Sequence, residues 1–334
     1  MTSRERVLAA LERQQPDRVP YLELFVDRSL AQKLLDWGAA AAPAGDLEHN
    51  PYTHEEMQAL ADHLGLDALF YVLRAPVYVE HIPGKDGRVF YGEGLIRAQS
   101  DLAMMSLPDP TDPRLYDEAR AFVAAKGDRA AALVTRAGIS PTLLSMGIEG
   151  FSVALYDNRP FLETVLDRYF DWSIEVAKRI SPLGFDLYVT TDDMAHKTGP
   201  LFSPAVFHKL VMPRYRKLAE RVSLPWVVHS DGNFEPLLAD LMTLGIAGIH
   251  PVEKGAMDIR QIKARYGQRL CVLGNVDLNI LGEGTVEQTE AEVRGLIGDL
   301  GPGGGYIISS GNSLTSYLKP ANVNAMAKLI RGQA

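Results

Sequence analysis

Two side chains of complementary acid–base character, His229 and Asp231, stand at the end of the apolar run Pro225-Trp226-Val227-Val228, directly before Gly232-Asn233. An imidazole takes and gives a proton near neutral pH, and a neighbouring carboxylate can orient the ring or share its ligand. An apolar strand that stops at such a pair and passes into a Gly-Asn turn suits an α/β barrel, where functional groups sit at C-terminal strand ends and in βα loops. A purely architectural alternative has His229 capping the barrel core, with Asp231 as the N-cap of a helix starting near Phe234 and Gly232 supplying the turn.

Other strand ends carry groups of the same kind, and their convergence favours chemistry over architecture. Asp193 and Lys197 lie in Thr191-Asp192-Asp193-Met194-Ala195-His196-Lys197, and Glu253 follows His250-Pro251-Val252. Asn275 and Asp277 lie in Gly274-Asn275-Val276-Asp277, Asn312 follows Gly311, Arg136 follows the run Ala131–Thr135, and Glu23 lies in the first strand-like segment. His229, Asp231, Asp193 and Glu253 are the candidates for proton transfer. Asn312, Asn275, Asp277, Arg136, Lys197 and Glu23 are the candidates for holding a ligand. Carboxylates and amides can each engage two edge atoms of a planar heterocycle, and Arg74, Arg136 or Lys197 can bind a carboxylate.

The elements that must position these groups follow from periodicity. Ser3 is expected to N-cap a helix with Val7, Leu8, Ala10 and Leu11 on one face, ending before Pro16. Eight strand-like runs follow: Arg18–Phe25, Ala68–Leu73, Ala131–Thr135, Asp186–Thr190, Pro225–His229, Ile246–His250, Leu270–Leu273 and Tyr306–Ser310. Helical patterns separate them, among them one opened by the capping box Thr53/Glu56, one from Pro160 to Ile180 and one starting at Pro320. Only Val77–Glu80 and Val89–Tyr91 break the rhythm, as a β-hairpin insertion around a turn at Lys85-Asp86-Gly87-Arg88. Strands alternating with helices, with polar residues gathered at the strand ends, predict a single (β/α)8 barrel over residues 1–334.

Composition limits the function. The 334 residues are 46% hydrophobic and 23% charged, with a net charge of -8, which argues against a nucleic-acid partner. No segment approaches the roughly 20 uninterrupted apolar residues of a spanning helix, so no membrane role is expected. The single cysteine, Cys271, sits in an apolar run and forms no intrachain disulfide. With an N-terminus lacking an apolar signal region, this points to the cytoplasm.

The chain resembles the uroporphyrinogen decarboxylase superfamily, which includes cobalamin-dependent methyltransferases. The resemblance spans nearly the whole chain. It rests on Arg4–Leu11 with Pro16-Asp17-Arg18-Val19-Pro20, on Asp192-Asp193-Met194, on Leu201-Phe202-Ser203-Pro204 with Pro213-Arg214-Tyr215, on His229-Ser230-Asp231-Gly232, on Gly274–Asp277, and on Gly311-Asn312. The opening and the His229 segment look closest to the methyltransferase-like branch. The resemblance implies one TIM barrel, a homodimer, and a small-molecule substrate.

Two departures shape the expected chemistry. The decarboxylases carry an aspartate at the end of the second strand that grips pyrrole nitrogens, whereas here that strand ends at Leu73-Arg74. Thiol-methylating relatives hold zinc with His-x-Cys and a second Cys, and the matching positions here are His229, Asp231 and Asn312. Thiolates suit zinc and this harder set does not, so no tightly bound metal is expected; an ion, if used, would rest on His229 and Asp231, completed by Asn312, Glu253 or water. The resemblance therefore implies a methyltransferase working between a corrinoid carrier protein and a small acceptor of the tetrahydrofolate type. The alternatives are a carboxy-lyase acting on another substrate and a barrel that binds a small molecule without turning it over.

Overall fold

The strands of the main sheet form on largely apolar runs, and the computed structural model describes residues 1–37, 52–84 and 89–332. Its strands are β1 (Ala68–Val72), β2 (Val79–Pro83), β3 (Val89–Gly94), β4 (Ala130–Thr135), β5 (Leu187–Thr191) and β6 (Ala195–His196). β7 (Gly199–Pro200), β8 (Trp226–His229), β9 (Gly248–His250), β10 (Cys271–Leu273) and β11 (Tyr306–Ile307) complete the set. Seven of them make one parallel sheet in the order β1-β4-β5-β8-β9-β10-β11. Residues of β1 and β4 are buried throughout, as expected of a parallel sheet covered on both faces.

The sheet curls until its edges meet through the first predicted strand, which shrinks to a bridge. Ile308 N donates to Pro20 O at 2.9 Å and Leu22 N to Ile308 O at 3.2 Å, while on the other side Asp67 N donates to Tyr21 O at 2.7 Å. Pro20 has no N–H, and the Tyr21 N–H goes to the Asp67 side chain at 2.9 Å, so a regular ladder over Arg18–Phe25 cannot extend. The architecture is the expected TIM-barrel-like α/β fold.

At the opposite end from the strand tips, polar residues of the opening motif form a clamp. Asp67, fully buried, accepts from Arg6 Nη1 at 2.6 Å and from Arg18 Nη1 and Nη2 at 2.8 and 2.9 Å. Arg6 also holds Asp17. The Arg4–Leu11 and Pro16–Pro20 segments thus pin the first helix and the bridging segment to the start of β1. The cap of that helix, Ser3–Leu11, is Thr2 rather than Ser3, in a full capping box with Glu5.

The long helix Arg159–Ile180 buries Phe161, Leu162, Val165, Leu166, Tyr169 and Phe170 on one face. Each such side chain contributes about 1.5–3 kcal/mol of transfer free energy, before the opposing conformational entropy. The buried apolar residues of the described chain form one continuous cluster. The hairpin insertion is β2 paired antiparallel with β3; its turn at Lys85–Arg88 lies outside the described residues. Cys271 is buried, and burial pushes its thiol up to about 12, which removes it as a nucleophile. No helix among the described residues is long and apolar enough to cross a membrane.

Candidate functional site

A cavity of about 610 Å³ opens at the C-terminal ends of the strands and is lined by Arg74, Arg136, Asp193, His229, Asp231 and Asn312, among others. Strand register explains why these residues meet. In β5, β8 and β9, Thr191 pairs with His229 and His229 with His250, so the tips of three neighbouring strands stand level. The β2–β3 hairpin contributes Tyr91 and Gly92 to the wall. It is tied down by Tyr78 N to Ser145 Oγ at 3.0 Å and Ile96 N to Ser145 O at 2.8 Å.

Neighbouring loops are locked to one another before any ligand arrives. Asp192 is fully buried and accepts from the backbone N–H groups of Ala137, Gly138 and Ser140 and from Tyr215 Oη, each at 3.0 Å. It therefore shapes the loop carrying Arg136, while burial raises its carboxyl above the ordinary value. Asp193, next in sequence, faces the cavity instead. Ser230 Oγ accepts from Met194 N at 2.9 Å, tying the two loops together. Gly232 has φ +77°, and a Cβ there would lie 2.5 Å from Ala195 O, so the turn after Asp231 needs glycine.

The reactive cluster is compact. His229 Nε2 lies 3.7 Å from Asp193 Oδ1 and 3.7 Å from Asp231 Oδ1. Asp193 Oδ1 accepts from Asp231 N at 3.0 Å, and Asp231 Oδ2 accepts from Asn312 Nδ2 at 2.7 Å. Asp231 Oδ1 is buried without a hydrogen-bond partner. Burial raises the Asp231 carboxyl, His229 lowers it, and Asp193 and Glu253 raise it further. Behind this cluster, His229 Nδ1 meets His250 Nδ1 at 2.7 Å, and His250 Nε2 meets Ser309 Oγ at 3.1 Å.

Several expected ligand residues lie elsewhere. Glu23 is fully buried and accepts from Ser310 N at 2.9 Å and Ser310 Oγ at 2.6 Å; it props the segment after β11 instead of lining the cavity. Asn275 is also buried and turns away, donating from Nδ2 to Val252 O at 2.5 Å. Asp277 N-caps the helix Leu278–Glu283 and stands 3.6 Å from Lys254. Lys197 is exposed and outside the cavity lining. Glu253 accepts from Gly232 N at 2.7 Å, so it braces the Asp231 turn from outside the lining. The helix after that turn is Glu235–Met242, and Asp231 does not cap it; Asn233 Oδ1 accepts from Glu235 N at 3.2 Å.

Sequence reasoning missed His250, His196, Thr191 and Ser140, the last three being cavity-lining residues. For His250 a signal existed: two consecutive predicted strands both end in histidine, and level parallel register puts them side by side.

Asp193, His229 and Asp231 offer one nitrogen and two oxygens, all within 4.8 Å of one another. That set fits a divalent cation of harder character than the thiolate-bound zinc of the resemblance. Asn312 donates to Asp231 and Glu253 accepts from Gly232 beside this set. An ion held there would act as a Lewis acid toward a ligand atom in the cavity.

A parallel α/β barrel with an acid–base cluster at its strand ends has the plan of a barrel enzyme. The uroporphyrinogen decarboxylase (URO-D) family model matches residues 86–333, and the chain belongs to that family of enzymes. Uroporphyrinogen decarboxylase of Pseudomonas aeruginosa (strain LESB58) is 24% identical, covering 98% of this chain and 96% of its own; that of Pseudomonas paraeruginosa (strain DSM 24068 / PA7) is also 24% identical with the same coverage. A methyltransferase from Methanosarcina mazei shares the fold with a TM-score of 0.77 at 21% identity, covering 99% of this chain and 98% of that one.

Proposed function

We propose that this protein is a methyltransferase that moves a methyl group between a corrinoid presented by a carrier protein and a small acceptor of the tetrahydrofolate type. The observation that carries the reading is the division of the cavity. Arg74 and Arg136 come from the ends of β1 and β4, while Asp193, His229, Asp231 and Asn312 come from β5, β8 and β11. A ligand with N–H donors at one end and carboxylates at the other matches that division, as a pterin bearing an acidic tail does.

Protein groups would do limited work on such a ligand. Asp231, steadied by Asn312, accepts from the heterocycle edge; the arginines hold the acidic tail; His229 Nε2 takes the proton that the acceptor nitrogen loses as it gains the methyl group. A corrinoid, when presented there, would supply the methyl group as a cation equivalent and would retain the electron pair of the broken bond. No tightly held ion is needed in this reading, since His229 already provides a proton acceptor.

Arg74 in the cavity weighs against decarboxylation of uroporphyrinogen. A guanidinium offers only donors, and pyrrole N–H groups are themselves donors, so the end of β1 cannot grip them as an aspartate would. Calorimetry with tetrahydrofolate, a cobalamin and uroporphyrinogen tests the reading. Tetrahydrofolate is expected to bind, more weakly after Arg136→Ala and Asp231→Ala. Coproporphyrinogen formation, or absence of tetrahydrofolate binding, would overturn it.

A further inference from the structure

We propose that His250 is a positioning residue that keeps a proton on Nδ1 of His229, so that His229 exchanges protons and meets ligands only through Nε2, on the cavity side. His250 is fully buried and outside the cavity lining, so it acts through its neighbour. Two imidazole Nδ1 atoms 2.7 Å apart share one hydrogen; if both carried one, the hydrogens would collide. The direction of that bond is decided at the inner end of the chain of contacts.

At the inner end, Ser309 Oγ donates to Ser310 O at 3.0 Å. Its single hydrogen is thereby committed, and toward His250 Nε2, at 3.1 Å, it is an acceptor. His250 therefore carries its proton on Nε2 and offers a lone pair at Nδ1. At the outer end, His229 Nε2 faces Asp193 Oδ1 and Asp231 Oδ1, each at 3.7 Å. A proton on Nδ1 leaves Nε2 as the nitrogen that the neutral ring turns toward this side. Burial independently disfavours charge on His250, which lowers its pKa well below the usual value. The chain therefore runs from His229 Nδ1–H to His250 Nδ1, and from His250 Nε2–H to Ser309 Oγ.

The consequence bears on the proposed function, though the inference stands without it. When His229 is neutral, its Nε2 lone pair, Asp193 Oδ1 and Asp231 Oδ1 are three acceptors facing one point. That point suits a cation or a ligand N–H, and it repels another acceptor.

Long-range ¹H–¹⁵N correlation of the histidine rings in the intact protein tests the assignment. His229 Nδ1 is expected to carry a proton throughout, with Nε2 the bare nitrogen in the neutral ring. His250→Gln, whose side-chain oxygen can replace the acceptor, is expected to preserve that pattern. His250→Phe is expected to move the dominant neutral form of His229 to Nε2–H. A bare Nδ1 on His229 in the unsubstituted protein overturns the proposal without any variant needing to fold, and so does an unchanged pattern in His250→Phe. The readout is spectroscopic, so it is independent of whether tetrahydrofolate is the acceptor.

Discussion

Asn312 donates from Nδ2 to Asp231 Oδ2 at 2.7 Å, joining the loop after β11 to the loop after β8 across 81 residues of sequence. The bond leaves Asp231 Oδ1 as the free oxygen beside His229 and fixes its direction. It also separates two classes of residue around the mouth: those aimed at the cavity and those that brace them.

Removing that tether should impair ligand binding more than stability. Asn312→Ala is expected to weaken tetrahydrofolate binding by about 1.5–3 kcal/mol, the range of a hydrogen bond to a charged group, with little change in Tm. Calorimetric titration alongside thermal unfolding checks this; equal affinity in the two proteins would remove Asp231 from the ligand grip.

Glu23 gives the fold a pH dependence of definite sign. Burial raises its carboxyl from 4.5 to about 7, so the unfolded chain ionises it first. Its linkage effect on stability is absent below about pH 4.5, grows as pH rises, and is complete above about pH 7, reaching about 3 kcal/mol of lost stability. Glu23→Gln lacks this slope. Urea unfolding of both proteins at pH 5 and pH 8 should show the unsubstituted protein losing stability relative to the variant; a difference independent of pH would contradict the assignment.

The Asp67 clamp is a stability element at the far end of the barrel from the cavity. Asp67→Ala leaves Arg6 and Arg18 without their shared partner, at a cost of about 3–5 kcal/mol for breaking a buried ion pair. Denaturant melts should show that loss. A fall in the folded protein's ligand affinity with no loss of stability would place the clamp in the wrong role.

Zinc is expected to bind weakly. With no thiolate among Asp193, His229 and Asp231, protein purified without added metal should hold well below one zinc per chain, and a chelator should leave tetrahydrofolate binding unchanged. Elemental analysis decides the first point and titration after chelation the second. Stoichiometric metal whose removal abolishes ligand binding would transfer the role of His229 Nε2 from base to ligand.

The barrel was legible from local chemistry alone. Uninterrupted apolar runs, capping boxes such as Thr53/Glu56 and the regular βα alternation depend on near neighbours, and they placed His229, Asp231, Asp193, Arg136 and Asn312 at strand ends on one face. Which strand-end residues face the cavity was decided only by the tertiary structure, because side-chain direction there depends on partners distant in sequence. Asn275 is turned away by Val252 O, Glu253 is taken by Gly232 N, and Glu23 is buried against Ser310. Asp192 and Asp193 are chemically identical in the sequence. Three backbone N–H groups and a tyrosine hydroxyl claim the first, and the cavity receives the second.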